Sequence, residues 1–149
     1  MGLESKSLIP MSTRLAVLVA VLLASAGSAF AQSDSTQTYA VVFEEITNSC
    51  TDANVAMRID KATIEVSRQK ETIRVSIPNV PAMTGRLRKG GSFKAEAEKR
   101  SPTTRNVEQR FSSAGRASDS KVQLVFVAEF YRDDKPLCTQ SWDVTGPRK

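Results

Sequence analysis

Apolar and polar residues alternate with a period of two along most of the chain, and that period assigns strands. Tyr39, Val41 and Phe43 alternate with Ala40, Val42 and Glu44, so a first strand is predicted from Tyr39. Ile46 keeps the apolar character but breaks the parity, which predicts a bulge. Residues 48–52 are turn-rich, and residues 53–61 fit either a short helical turn or irregular chain. Ala62, Ile64 and Val66, then Ile73, Val75 and Ile77, give two strands around a polar turn at 68–71. Pro78 and Pro81 end that pairing because neither carries an N–H.

A short strand at 83–88 contains Gly85, the mark of a bend or a close backbone approach. Lys89, Gly90 and Gly91 turn the chain into a strand bearing Phe93, Ala95 and Ala97, and a turn with Pro102 is predicted at 101–104. Val107, Gln109, Phe111 and Ser113 make a weaker strand, followed by a polar loop at 114–120. The clearest signal is residues 121–144. Val122, Leu124, Phe126, Ala128 and Phe130 share one face, a turn spans 132–135, and Cys138, Gln140, Trp142 and Val144 share a face on the way back.

Eight strands with short turns, and no amphipathic helix, predict an all-β domain at 39–146. The expected architecture is an eight-stranded antiparallel up-and-down barrel, with a β-sandwich as the alternative. In a closed meander the end of the first strand lies beside the start of the last. Cys50 and Cys138 occupy those places, so a disulfide between them would staple the closing seam.

The N-terminal region changes the setting. Arg14 precedes an apolar run at 15–24, small residues follow, and Ala29-Phe30-Ala31 supplies an A-x-A site. Residues 1–31 are therefore read as a signal peptide and 32–38 as a disordered segment. The run is too short for a span of roughly 20 apolar residues. Cleavage would leave no stable membrane anchor and a periplasmic or secreted chain, in which two cysteines most simply pair.

Losing residues 1–31 removes Lys6, Arg14 and Glu4 and leaves a net charge of +4. The signs are interspersed, which fits a solvated surface and no nucleic-acid partner. The densest basic patch, Arg86, Arg88 and Lys89, is expected to be a solvated hairpin end.

Catalytic chemistry finds few residues. The chain has no histidine, which excludes imidazole bases and histidine-bearing triads and metal sites. Two distant cysteines cannot make a zinc site. Glu44 and Glu45 fall on opposite strand faces, Asp133 and Asp134 fit a turn, and Glu96 and Glu98 face away from Phe93. No catalytic, cofactor-binding or metal-binding residue is assigned, and no cofactor is expected. Trp142 and Gln140 are the candidate pocket residues, with Gln109 a second amide on an apolar face.

Tyr39 with Val41, Asn48 with Cys50, Gly85, Gly91 with Phe93, Cys138, and Val144 with Gly146 form an outline that resembles a recurring kind of small exported bacterial β-domain stapled by a disulfide. That resemblance implies no activity. The architecture is also similar to lipocalin-like and avidin-like barrels, which enclose small ligands. Those carry Gly-x-Trp on the first strand, where this chain has Tyr39-Ala40-Val41, so no ligand residue is carried over. The expected function is a non-catalytic exported binding module for a small apolar molecule or an envelope component. The alternative is a protein-interaction domain such as a protease inhibitor or an envelope assembly factor.

Overall fold

The chain divides into Met1–Ala31 and Gln32–Lys149. A computed structural model describes residues 34–97 and 106–149, all in the second unit. The expected signal peptide and the turn at 101–104 lie outside the described residues. Eight antiparallel strands form one sheet that closes in a ring: β1 (Ser35–Asn48), β2 (Lys61–Gln69), β3 (Thr72–Ser76), β4 (Met83–Leu87), β5 (Ser92–Glu96), β6 (Val107–Ala117), β7 (Lys121–Arg132) and β8 (Lys135–Pro147). Each strand pairs with its sequence neighbour, and β8 returns to β1. Among the described residues the only helical element is a single 3-10 turn at Lys89–Gly91.

The alternation read from the sequence sets the two faces. Val122, Leu124, Phe126, Ala128 and Phe130 are all buried, and so are Gln140, Trp142 and Val144 on the facing strand. Phe126 is the hub of the interior. It stacks on Trp142 at 5.4 Å and on Phe111 at 6.0 Å, and meets Phe43 edge-on at 6.3 Å. Such pairs contribute about 0.5–1.5 kcal/mol each beyond the area they bury. Ile64, Val66, Ile73, Val75 and Met83 pack into the same cluster from the opposite wall.

Curvature this tight leaves no room for a side chain at some inward positions. A Cβ on Gly85 would collide with the backbone of Lys94 and Ala95 on β5, and one on Gly146 with the backbone of Ala40 on β1. The bulge signalled by Ile46 is present, since the β1–β8 register shifts between Glu45 and Thr47. It leaves Ile46 half exposed on the outside.

Three boundaries differ from expectation. Residues 35–38, read as disordered, are strand: Ser35 to Thr38 pair with Arg68 to Glu65 on β2. Their polar side chains hide them, because Gln37 points inward yet is buried by hydrogen bonding rather than by apolar contact. The sheet also continues past 146, with Arg148 bridging to Tyr39 and the Lys149 N–H donating to the Thr38 carbonyl at 2.9 Å. Finally, β6 runs to Ala117 instead of stopping before Ala114. Its inward residues there are Ser113, Gly115 and Ala117, too small to give an apolar period.

Candidate functional site

The strands leave one long described connection, residues 49–60 between β1 and β2, and it is pinned along its whole length. The bonds begin where β1 ends. The Asn48 side chain accepts the Cys50 N–H at 2.9 Å, and the Ser49 N–H donates to the Thr139 carbonyl at 3.0 Å. The Ser49 hydroxyl in turn accepts the Thr139 N–H at 2.9 Å. Cys50 and Cys138 are joined, with Sγ atoms 2.03 Å and Cα atoms 5.0 Å apart. They sit two residues beyond the Asn48–Gln140 pair, at the seam where β1 meets β8.

Asp52 then nucleates one turn. Its carboxylate accepts the Asn54 N–H at 2.9 Å, and its carbonyl accepts the N–H groups of Val55 and Ala56, each at 3.0 Å. The open choice for residues 53–61 thus resolves to a turn followed by extended, irregular chain. Val55 is buried and tethers the turn to the core.

Gln140 holds the middle of the connection. Its side chain is wholly buried, with Oε1 accepting the Met57 N–H at 2.7 Å and Nε2 donating to the Met57 carbonyl at 3.2 Å. Nε2 also lies 3.4 Å from Glu45 Oε2. A primary amide matches a backbone peptide donor for acceptor, so one buried glutamine substitutes for a strand partner. The connection returns to the sheet where the Phe43 N–H donates to the Asp60 carbonyl at 2.7 Å.

The 49–60 connection forms a ridge, and its crest at residues 57–60 divides two open grooves. One, about 620 Å³, runs past Glu45, Asn48 and Ala53 to the edge of Trp142. The other, about 580 Å³, is bordered by Lys61, Pro78, Asn79, Gln109 and Phe111. Met57, Arg58, Ile59 and Asp60 line both. The lining therefore mixes apolar side chains with charges of both signs.

The other end of the ring is shut by polar groups. The Tyr39 hydroxyl donates toward Gln37 Oε1 and the Ser118 carbonyl, each at 2.6 Å, and Gln37 Nε2 donates to Asp119 at 2.6 Å. Arg68 donates to the Ala117 carbonyl beside them. Burial pushes the Tyr39 hydroxyl above its ordinary pKa; the nearby positive charges of Arg68 and Arg148 oppose this, and Asp119 adds to it.

The structure separates the two candidate pocket residues. Trp142 is core and reaches the first groove only at its edge, while Gln140 is a backbone clamp. Gln109 borders the second groove. Glu44 is on the outer face, and Glu45 accepts from Asn48 at 3.2 Å, so the two do not converge. Asp133 and Asp134 form the β7–β8 turn with positive φ of 50° and 61°. Glu96 pairs with Lys94 at 2.7 Å in solvent, and Glu98 lies outside the described residues. Among the described residues no group of His, Cys, Asp and Glu could hold a metal ion.

Sequence reading missed the ridge at 57–60. Its one signal was Val55, Met57 and Ile59 recurring at alternate positions inside an otherwise polar connection. Comparison with protein-family models, with curated proteins and with solved structures finds no match to this chain.

Proposed function

We propose that this chain is an exported, non-catalytic binding module: a small barrel filled by its own side chains that presents the 49–60 ridge to an envelope protein. The observation that carries this is the fastening of the ridge. Four separate anchors, at Ser49, Cys50, Met57 and Asp60, hold an exposed segment in one conformation between two grooves. Order established before binding removes much of the entropy that a flexible loop loses on association. A barrel, rather than a sandwich, is supported by unbroken neighbour-to-neighbour pairing and by one aromatic stack at the centre.

A small apolar ligand inside the barrel is the weaker reading, because Phe43, Phe111, Phe126 and Trp142 occupy the place it would need. The mixed lining of the grooves favours a protein partner, since interfaces between separately stable proteins combine apolar and charged groups in this way. The test is a photo-crosslinking residue placed at Asn54, on the ridge side, or at Thr84, on the outer wall of β4, in the exporting host. Adducts of one discrete mass from Asn54 and none from Thr84 support the proposal. Equal labelling from both, or a small apolar molecule retained in the native mass of the purified protein, would overturn it.

A further inference from the structure

Among the described residues, ring closure sorts charge between the two ends of the sheet, although along the sequence the signs are interspersed. The β2–β3, β4–β5 and β6–β7 turns and the C-terminal residues all lie at the end where β1 begins. Lys70 is exposed in the first of these turns. Arg88 and Lys89 are exposed in the second, with Arg86 just behind them. Arg116 and Lys121 flank the third, and Arg148 and Lys149 close the chain beside β1. Against these eight cations stand Asp34, Glu65, Glu71 and Asp119. None of the eight is ion-paired among the described residues, where the one ion pair joins Lys94 to Glu96. The opposite end is balanced: among the described residues Arg58, Lys61, Arg132 and Lys135 face Asp52, Asp60, Asp133 and Asp134.

We infer that the basic end is a docking surface for an anionic lipid bilayer, reversible and electrostatic, which turns the 49–60 ridge away from the membrane. The distribution of charge selects a planar partner. The cations sit on three turns and the C-terminus, spread around the circumference of the ring instead of along a track. The grooves nearest this end offer no basic track for a linear polyanion, since Asp34 and Glu65 offset Arg68 and Arg74 in one, and Asp34 and Glu71 outweigh Lys70 in the other. No aromatic side chain is exposed among the described residues, so bases have no stacking platform.

Each basic residue near an anionic surface strengthens binding about fivefold, and that gain fades beyond a Debye length. The test uses the exported, oxidised protein with vesicles of equal parts phosphatidylcholine and phosphatidylglycerol, and with phosphatidylcholine vesicles alone. Co-flotation with the first and not the second, weakening as salt is added, is the expected result. A variant carrying Lys70→Asn, Arg88→Gln and Lys89→Gln should bind on the order of a hundredfold more weakly. Asparagine is chosen because Lys70 has a φ of 55°. The control Arg132→Gln with Lys135→Gln, at the far end, should bind as the parent does, and all three proteins should melt alike.

Equal flotation with both vesicles, salt-insensitive binding, equal loss in the far-end control, or no binding to either vesicle would overturn the inference. Wild-type salt dependence alone decides it should the triple variant fail to fold. The result is separable from the proposed function, because ridge crosslinking at Asn54 reads the other end of the molecule.

Discussion

Replacing Gln140 with leucine should release the ridge while leaving the core nearly unchanged in volume. The substitution removes the bonds to Met57 at 2.7 and 3.2 Å and the longer contact to Glu45. A hydrogen bond contributes about 0.5–1.5 kcal/mol net, and a buried peptide group left without a partner costs about 1–3 kcal/mol. Met57 is only half buried, so water reaches part of what is lost. Apolar burial of the leucine returns about 1 kcal/mol. The net expectation is a loss of about 2–3 kcal/mol.

The assay is urea unfolding of the oxidised protein followed by emission of Trp142, the single tryptophan. The midpoint should fall with an unchanged slope. Gln140→Glu sharpens the test: it keeps an acceptor for the Met57 N–H, loses the donor to the Met57 carbonyl, and brings a second carboxylate to Glu45. It should be worse than leucine at neutral pH and recover as acid protonates the pair. A leucine variant within about 0.5 kcal/mol of the parent would refute the clamp.

Four further outcomes follow from the same geometry. Replacing Cys50 and Cys138 together by serine opens a crosslink spanning 88 residues of sequence and should cost about 4–5 kcal/mol, seen as a large fall in the melting temperature that added reductant no longer changes. Because burial raises the Tyr39 pKa, the folded state holds that proton longer; stability is intact below pH ~10 and declines above it, and Tyr39→Phe should remove that part of the decline in alkaline urea titrations. Ser113 buries a hydroxyl that has no hydrogen-bond partner among the described residues, so Ser113→Ala should raise stability by about 1 kcal/mol in chemical denaturation, and a loss would show that the hydroxyl is satisfied. Gly85→Ala drives a Cβ into the β5 backbone and should lower stability by about 2–4 kcal/mol in the same assay, whereas a neutral result would mean that β4 and β5 part easily.

The sheet was legible because a half-buried strand writes its inner face into every second residue. Val122 to Phe130, Ile64 with Val66, and Ile73 with Val75 carry that mark. The bulge was legible as broken parity at Ile46, and the seam as the positions of Cys50 and Cys138 in the strand order. Strand segments whose inner face is polar or small were not. Gln37 is buried through Asp119 and Tyr39, far along the chain or two residues away, and Gly115 is bare because Leu124 crosses it. Gln140 was visible as an amide on an apolar strand. Its partner was not, because nothing local ties Gln140 to a backbone peptide 83 residues upstream. The basic end was hidden for a related reason. Lys70, Arg88, Lys121 and Lys149 are scattered in sequence and meet at one end only once the ring has closed.

The filled ring holds the 49–60 segment in one conformation as a ready-made surface. Amide hydrogen exchange on the oxidised protein measures it directly at Ser49, Val55, Ala56 and Met57, whose N–H groups carry the anchoring bonds. Slow exchange is expected at all four, with Met57 alone becoming fast in Gln140→Leu. Exchange at the rate of unprotected chain at Val55 and Met57 in the parent protein would contradict it.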